Sequence, residues 1–133
     1  MMKRLRKKIT FVVEKTNTGF SAYTEDYPIF TTGKTVSELL SNAHEAANLY
    51  FEEEEYSLTP NQIVFSLDWQ QFFQEYRILN HKLFAQRIGL NPTLLSQYIS
   101  GKKKPSKKQQ AKILEGIHQI GHELAEMNLL LTE

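Results

Sequence analysis

Gly89-Leu90-Asn91-Pro92-Thr93-Leu94-Leu95-Ser96-Gln97-Tyr98-Ile99-Ser100-Gly101-Lys102-Lys103-Lys104 carries more information than any other stretch of this chain. Asn91 is a good helix N-cap, and Pro92 is pre-set for the first helical position. The short helix that follows stops at Gly101. Leu95, Tyr98 and Ile99 supply its inner stripe, which leaves Thr93, Ser96, Gln97 and Ser100 on the outside. Just upstream, a helix is expected over His81–Ile88. Its small Ala85 allows a close crossing, and Gly89 allows the chain to turn sharply. Two short helices joined this way are the pattern of a helix-turn-helix. Its outer residues suit a DNA groove, because glutamine can bind adenine bidentately and serine or threonine can serve several bases. The expected base contacts are Pro92, Thr93, Ser96 and Gln97. The expected phosphate-backbone contacts are Asn91, Ser100, Lys102, Lys103, Lys104 and Lys107.

The charge distribution agrees. The formal net charge of +1 conceals a division: residues 1–75 hold 7 Lys/Arg and 11 Asp/Glu, whereas residues 76–133 hold 9 Lys/Arg and 4 Asp/Glu. All nine of the latter cations fall within residues 76–114, which contain no carboxylate. An acidic half joined to a basic half implies two modules with different partners. The expected domains are 1–67 and 68–133.

Within the second module, Asp68 is an expected N-cap, with Gln71 at the third position of a capping box. Trp69, Phe72, Phe73 and Tyr76 then recur at helical spacing and read as core. Ser106-Lys107-Lys108-Gln109 is another capping box and opens a long last helix. Ile113, Ile117, Ile120, Leu124, Met127 and Leu131 recur alternately every four and three residues, a heptad-like seam. Its early positions should pack inside the domain. Ile120, Leu124, Met127 and Leu131 are the expected dimer interface, since helix-turn-helix proteins pair two half-sites. Gly116 and Gly121 should allow close approach of neighbouring helices. His118 and His122 stand one turn apart, but no third ligand accompanies them.

The first half reads as β-β-β-α-β, so the chain as a whole is α+β with an all-α second domain. Ile9, Phe11 and Val13 alternate with Thr10 and Val12 as in a half-buried strand. Thr16-Asn17-Thr18-Gly19 is turn chemistry leading to a second strand over residues 19–24. Pro28 interrupts the pattern, and a short third strand over 29–32 closes at Gly33. Thr35-Val36-Ser37-Glu38 is a capping box before an apolar stripe of Val36, Leu39, Leu40, Ala43, Ala46, Ala47, Tyr50 and Phe51. Ile63, Phe65 and Leu67 alternate as a fourth strand. Glu14, Asp26 and Glu45 are scattered singly and do not make the converging pair of metal sites a nuclease needs. His44 lacks a second imidazole at ligand spacing.

Composition narrows the classes further. The chain has 133 residues, 41% of them hydrophobic and 23% charged, which suits folded domains. It contains no cysteine, which excludes a disulfide scaffold, a thiolate zinc site and a cysteine nucleophile. No P-loop, dinucleotide fingerprint or serine-nucleophile elbow is present. No apolar run approaches the length of a membrane span, and the start is unlike a secretory signal. The cytoplasm is the expected location. No cofactor, metal or catalytic residue is expected.

Two segments resemble known families. Gly19-Phe20-Ser21-Ala22, Asp26-Tyr27-Pro28, Thr32-Gly33-Lys34-Thr35, Glu38 and residues 43–47 together resemble the N-terminal domain of HicB-type antitoxins, a truncated ribonuclease-H-like fold without catalytic acids. The interval between Pro28 and Thr32 is Ile29-Phe30-Thr31, where members of that family often carry Gly-Cys. Residues 89–106 resemble the lambda-repressor-like (Xre) helix-turn-helix found at the C-terminus of one branch of the family. The resemblance implies a type II antitoxin and no enzyme. Its first domain would mask a small, basic, RNA-cleaving HicA-like toxin, and its second would bind the operator and repress its own operon as a homodimer or higher oligomer. The acidic first half suits a basic partner, because charge complementarity speeds capture. An alternative keeps the DNA binding without a toxin. The chain is then an orphan regulator whose first domain serves dimerisation or ligand sensing. A residual nuclease is a third class.

Overall fold

Ile9, Phe11 and Val13 are buried, while Thr10 is exposed and Val12 half-buried. That alternation sets one face of a strand toward the protein interior, and the first half of the molecule is built on it. A computed structural model describes residues 2–131. In chain order the elements are β1 (Lys3–Arg4), β2 (Ile9–Lys15), β3 (Phe20–Tyr23), β4 (Phe30–Gly33), α1 (Val36–Glu53), β5 (Tyr56–Ser57) and β6 (Ile63–Leu67). Helices α2 (Trp69–Glu75), α3 (His81–Ile88), α4 (Pro92–Ile99) and α5 (Lys107–Glu126) follow. A 3-10 turn at Pro60–Gln62 precedes β6, and another at Met127–Leu131 continues from α5. The architecture is α+β, and the chain divides into two compact units between Glu75 and Tyr76.

In the first unit a four-stranded sheet has the order β4-β3-β2-β6. β2 pairs antiparallel with β3 and parallel with β6, from Ile9 opposite Ile63 to Val13 opposite Leu67. The parallel pairing requires a crossover, which α1 supplies. Leu39, Ala43, Ala47 and Phe51 of α1 and Ile9, Phe11 and Val13 of β2 belong to one buried core. The small alanines let the helix lie close to the sheet. The Thr35 hydroxyl accepts the Glu38 amide at 3.1 Å and starts that helix. At its other end Glu55 takes a left-handed conformation, φ 64°, unusual for a residue with a Cβ.

Four features depart from the sequence expectation. First, β1 and β5 form a separate two-stranded parallel sheet. Two-residue strands leave no periodicity to read. Second, α2 belongs to the first unit, so the second begins at Tyr76 and not at Asp68. Asp68 does cap α2 by accepting the Gln71 amide at 3.1 Å. Gln71, however, turns its own side chain to β2, accepting from the Lys15 amide at 2.7 Å and donating to the Lys15 carbonyl. The Asp68 amide donates to the Val13 carbonyl at 2.9 Å. These bonds tie α2 to the central strand. Third, Val36 and Leu40 of the expected α1 stripe are exposed, while His44, a boundary residue of the same helix, is half-buried with its ring 6.1 Å from that of Phe65. Fourth, nothing lies within 4 Å of a Cβ built on Gly121, so only Gly116 marks a close helix approach.

β4 forms one edge of the sheet. There the Asn42 side-chain amide of α1 donates to the Thr32 carbonyl at 2.8 Å. Gly33, at the end of the same strand, passes so close to α1 that a Cβ would lie 2.4 Å from the Leu39 nitrogen and 2.6 Å from its Cα. Both obstacles are backbone, so neither can rotate aside. We expect Gly33→Ala to cost about 3 kcal/mol, the upper end for overpacking. Urea unfolding followed by emission of Trp69, the sole tryptophan and part of the first unit, measures it.

Candidate nucleic-acid interface

The second unit encloses Phe84, Ala85, Leu90, Leu95, Tyr98 and Ile113 as its buried hydrophobic residues. Ala85 is fully buried. A Cβ on Gly116 would lie 2.3 Å from Ile88 Cγ2, so α5 meets α3 at a residue with no side chain to spare.

Asn80 caps α3 by accepting the Leu83 amide at 3.0 Å. At the other end Gly89 adopts φ 74°, a left-handed C-cap that glycine takes without strain. The buried Leu90 follows, with its amide bonded to the Ala85 carbonyl at 2.9 Å. Asn91 Oδ1 then accepts the Thr93 amide at 2.8 Å and opens α4. Three residues thus separate two helices, and each has an identifiable conformational task.

Leu95 and Tyr98 of α4 are buried, as the sequence predicts, while Ile99 is half-buried. Thr93, Ser96 and Ser100 are exposed, and Pro92 and Gln97 half-buried. Asn91 is exposed, with its oxygen engaged in the cap. Ser100 Oγ donates to the Gln97 carbonyl at 3.2 Å, and the Lys103 amide donates to the same carbonyl at 3.2 Å. The basic loop is therefore folded back on the end of α4. Lys102, Lys103, Lys104, Lys107 and Lys108 are all exposed. Among the described residues none of the five is in an ion pair.

Ser106 Oγ accepts the Gln109 amide at 3.2 Å and starts α5. Its first turn carries Lys107 and Lys108 and no acid. Helix N-termini carry partial positive charge and favour anions, so two lysines there oppose folding. The same arrangement favours a phosphate arriving from outside.

Periodicity did not reveal two further side chains. Lys112 Nζ donates to the Gly89 carbonyl at 3.1 Å, a cation at the C-terminal end of α3. Arg87 pairs with Glu123, and both are exposed. These contacts join residues 23 and 36 positions apart, beyond any local pattern.

The expected dimer seam is exposed in the single chain. Leu124 is 65% and Met127 58% exposed, Leu131 is 80% exposed, and Ile120 is half-buried. Ile120 helps line a shallow groove with Ile78, Leu79, Leu83 and Phe84. His122 Nε2 lies 3.4 Å from Glu126 Oε1. Among the described residues no three His, Asp or Glu side chains are grouped as a metal centre would need, and no helix is long and apolar enough to cross a membrane.

Comparisons with family models, curated proteins and solved structures each gave no significant match to this chain.

The two lysines at the start of α5 give a test in which stability and binding move oppositely. Lys107→Glu should stabilise the second unit by about 0.3–1 kcal/mol at low salt. Thermal unfolding followed by circular dichroism reads that gain. Titration with duplex DNA should show weakened binding by the same variant.

Proposed function

We propose that this protein is a DNA-binding repressor of the antitoxin type, acting in the cytoplasm as a homodimer. In this reading α3 and α4 form a lambda-repressor-like helix-turn-helix, and α4 enters the major groove. Thr93, Ser96 and Gln97 read base edges beside Pro92. Asn91, Ser100 and the lysines at 102–104 and 107 hold the flanking phosphates. The observation that carries the reading is the outer face of α4, polar along its length and continued by lysines that have no carboxylate partner among the described residues. Small hydroxyls let a helix approach base edges, and unpaired lysines release counterions when they meet phosphates.

The first unit would be the toxin-masking domain. Three antiparallel strands, a helix and a parallel fourth strand are consistent with the partial ribonuclease-H-like fold implied by the resemblance to HicB-type antitoxins. Its acidity supports a basic partner. Residues 9–75 hold two lysines against eleven carboxylates, a net charge of −9. Burial raises the Tyr23 phenol above its ordinary value, and the nearby carboxylates of Glu14, Asp68 and Glu25 raise it further. Pairing of two copies through Leu124, Met127 and Leu131 would cover apolar side chains that the single chain leaves in water.

Selection from a randomised duplex pool tests the DNA reading, and failure to enrich any sequence overturns it. On the enriched site Gln97→Ala should cost about 1–3 kcal/mol and relax one base position. Lys103→Ala should weaken all sequences alike and flatten the salt slope by about one unit. Affinity purification from the native host should bring down a small basic protein at near-equal stoichiometry. In sedimentation, Leu124→Glu should shift the dimer toward monomer at micromolar concentration, because pairing would bury the new carboxylate.

A further inference from the structure

Five of the seven cations in residues 1–75 lie within residues 3–8: Lys3, Arg4, Arg6, Lys7 and Lys8. All five are exposed, and among the described residues none is in an ion pair. Yet their backbone is firmly held. The Lys3 amide donates to the Glu55 carbonyl at 2.9 Å, and the Leu5 amide to the Ser57 carbonyl at 2.8 Å. Leu5 is buried in the core between these cations. Gln62 completes the clamp. Its Nε2 donates to the Leu5 carbonyl at 2.5 Å and to the Lys7 carbonyl at 3.0 Å, while its Oε1 accepts the Thr59 amide at 2.7 Å. Arg4, Arg6, Lys7 and Lys8, with the polar Thr59 and Asn61, border a depression of about 510 Å³. Among the described residues no carboxylate lines it.

We propose that this depression is a second nucleic-acid contact, which takes the sugar-phosphate backbone of duplex DNA without reading its sequence. Several unpaired cations on a fixed backbone match a run of phosphates better than a single small anion. The arginines can each grip a phosphate through two N–H groups, and the neighbouring amide and hydroxyl groups can complete its hydrogen bonds. A membrane surface is less suitable, because Leu5, the one apolar residue among the described residues lining the depression, is buried and has nothing to insert. The ligand's identity rests on the DNA-binding reading above, but the residues are different and can be tested separately.

The experiment is a salt series with full-length protein and a duplex of arbitrary sequence, read by fluorescence anisotropy. Combined Arg4→Gln, Arg6→Gln, Lys7→Gln and Lys8→Gln should lower affinity at least about tenfold at 50 mM salt and reduce the salt slope by about two to four units. An unchanged slope overturns the proposal. Gln62→Ala keeps every charge. It should weaken binding with the slope unchanged, and undiminished affinity would mean that loose charge suffices and no built depression exists. Trp69 emission confirms that each variant is folded. Combined Lys102→Gln, Lys103→Gln and Lys104→Gln separates the two readings. If that variant keeps the wild-type slope while the first variant loses it, the helix-turn-helix assignment fails and the depression stands. If the four N-terminal changes abolish capture by phosphatidylserine vesicles but leave DNA binding intact, the depression is a lipid site and the proposal falls.

Discussion

The pairing of β2 with strands on both sides is the constraint on which the first unit depends. β2 lies between β3 and β6, and Phe11 is fully buried at its centre. Its pairing with β6 runs from Ile9 to Val13 and with β3 from Val12 to Lys15, so each residue has a partner strand on at least one side and the polar cost of burial is reduced. The parallel partner β6 then obliges the chain to cross over, and α1 both makes that crossing and covers the sheet. The same strand holds α2 through the carbonyl of Val13 and both backbone groups of Lys15. Removing β2 would release the sheet, the crossover and the last helix of the unit together.

Much of this was legible because hydrophobic periods are local. The alternation at Ile9, Phe11 and Val13, the centre of the α1 stripe at Leu39, Ala43, Ala47 and Phe51, and the caps at Thr35, Asn91 and Ser106 rest on nearby residues, and the structure has them where the sequence indicates. What escaped depends on side chains acting over distance. Gln71 looks like the third residue of a capping box, but it bonds a strand 56 positions away. Gln62 sits at a short turn and clamps residues 55 and 57 positions distant. A glutamine carries two donors and an acceptor in any setting, so no pattern in its neighbours foretells the partner. At the candidate interface, the outward side of α4 followed from its inner stripe. The bond from Lys112 to the Gly89 carbonyl did not, because it needs the packing of α5 on α3.

The electrostatics of the two units share a design. Each concentrates cations where folding gains nothing from them. Lys107 and Lys108 face the wrong end of a helix dipole, and the cations of residues 3–8 repel one another on a pinned segment. Natural sequences tolerate such local conflicts chiefly where a partner resolves them. Around these islands the first unit is strongly acidic, so its charge is segregated and not merely low.

The bond between Asn42 and Thr32 bears on how the molecule avoids its own kind. A sheet edge offers unpaired carbonyls and amides to any extended chain, and that invitation underlies fibrous aggregation. Here β4, one of the two edge strands, is only four residues long, and a side-chain amide already occupies one of its acceptors. An incoming strand would have to displace Asn42 before it could add to the ladder. That edge is thereby blunted by a single amide, without a charge and without a proline within the strand, so growth of the ladder on the β4 side meets an obstacle built from the crossover helix itself.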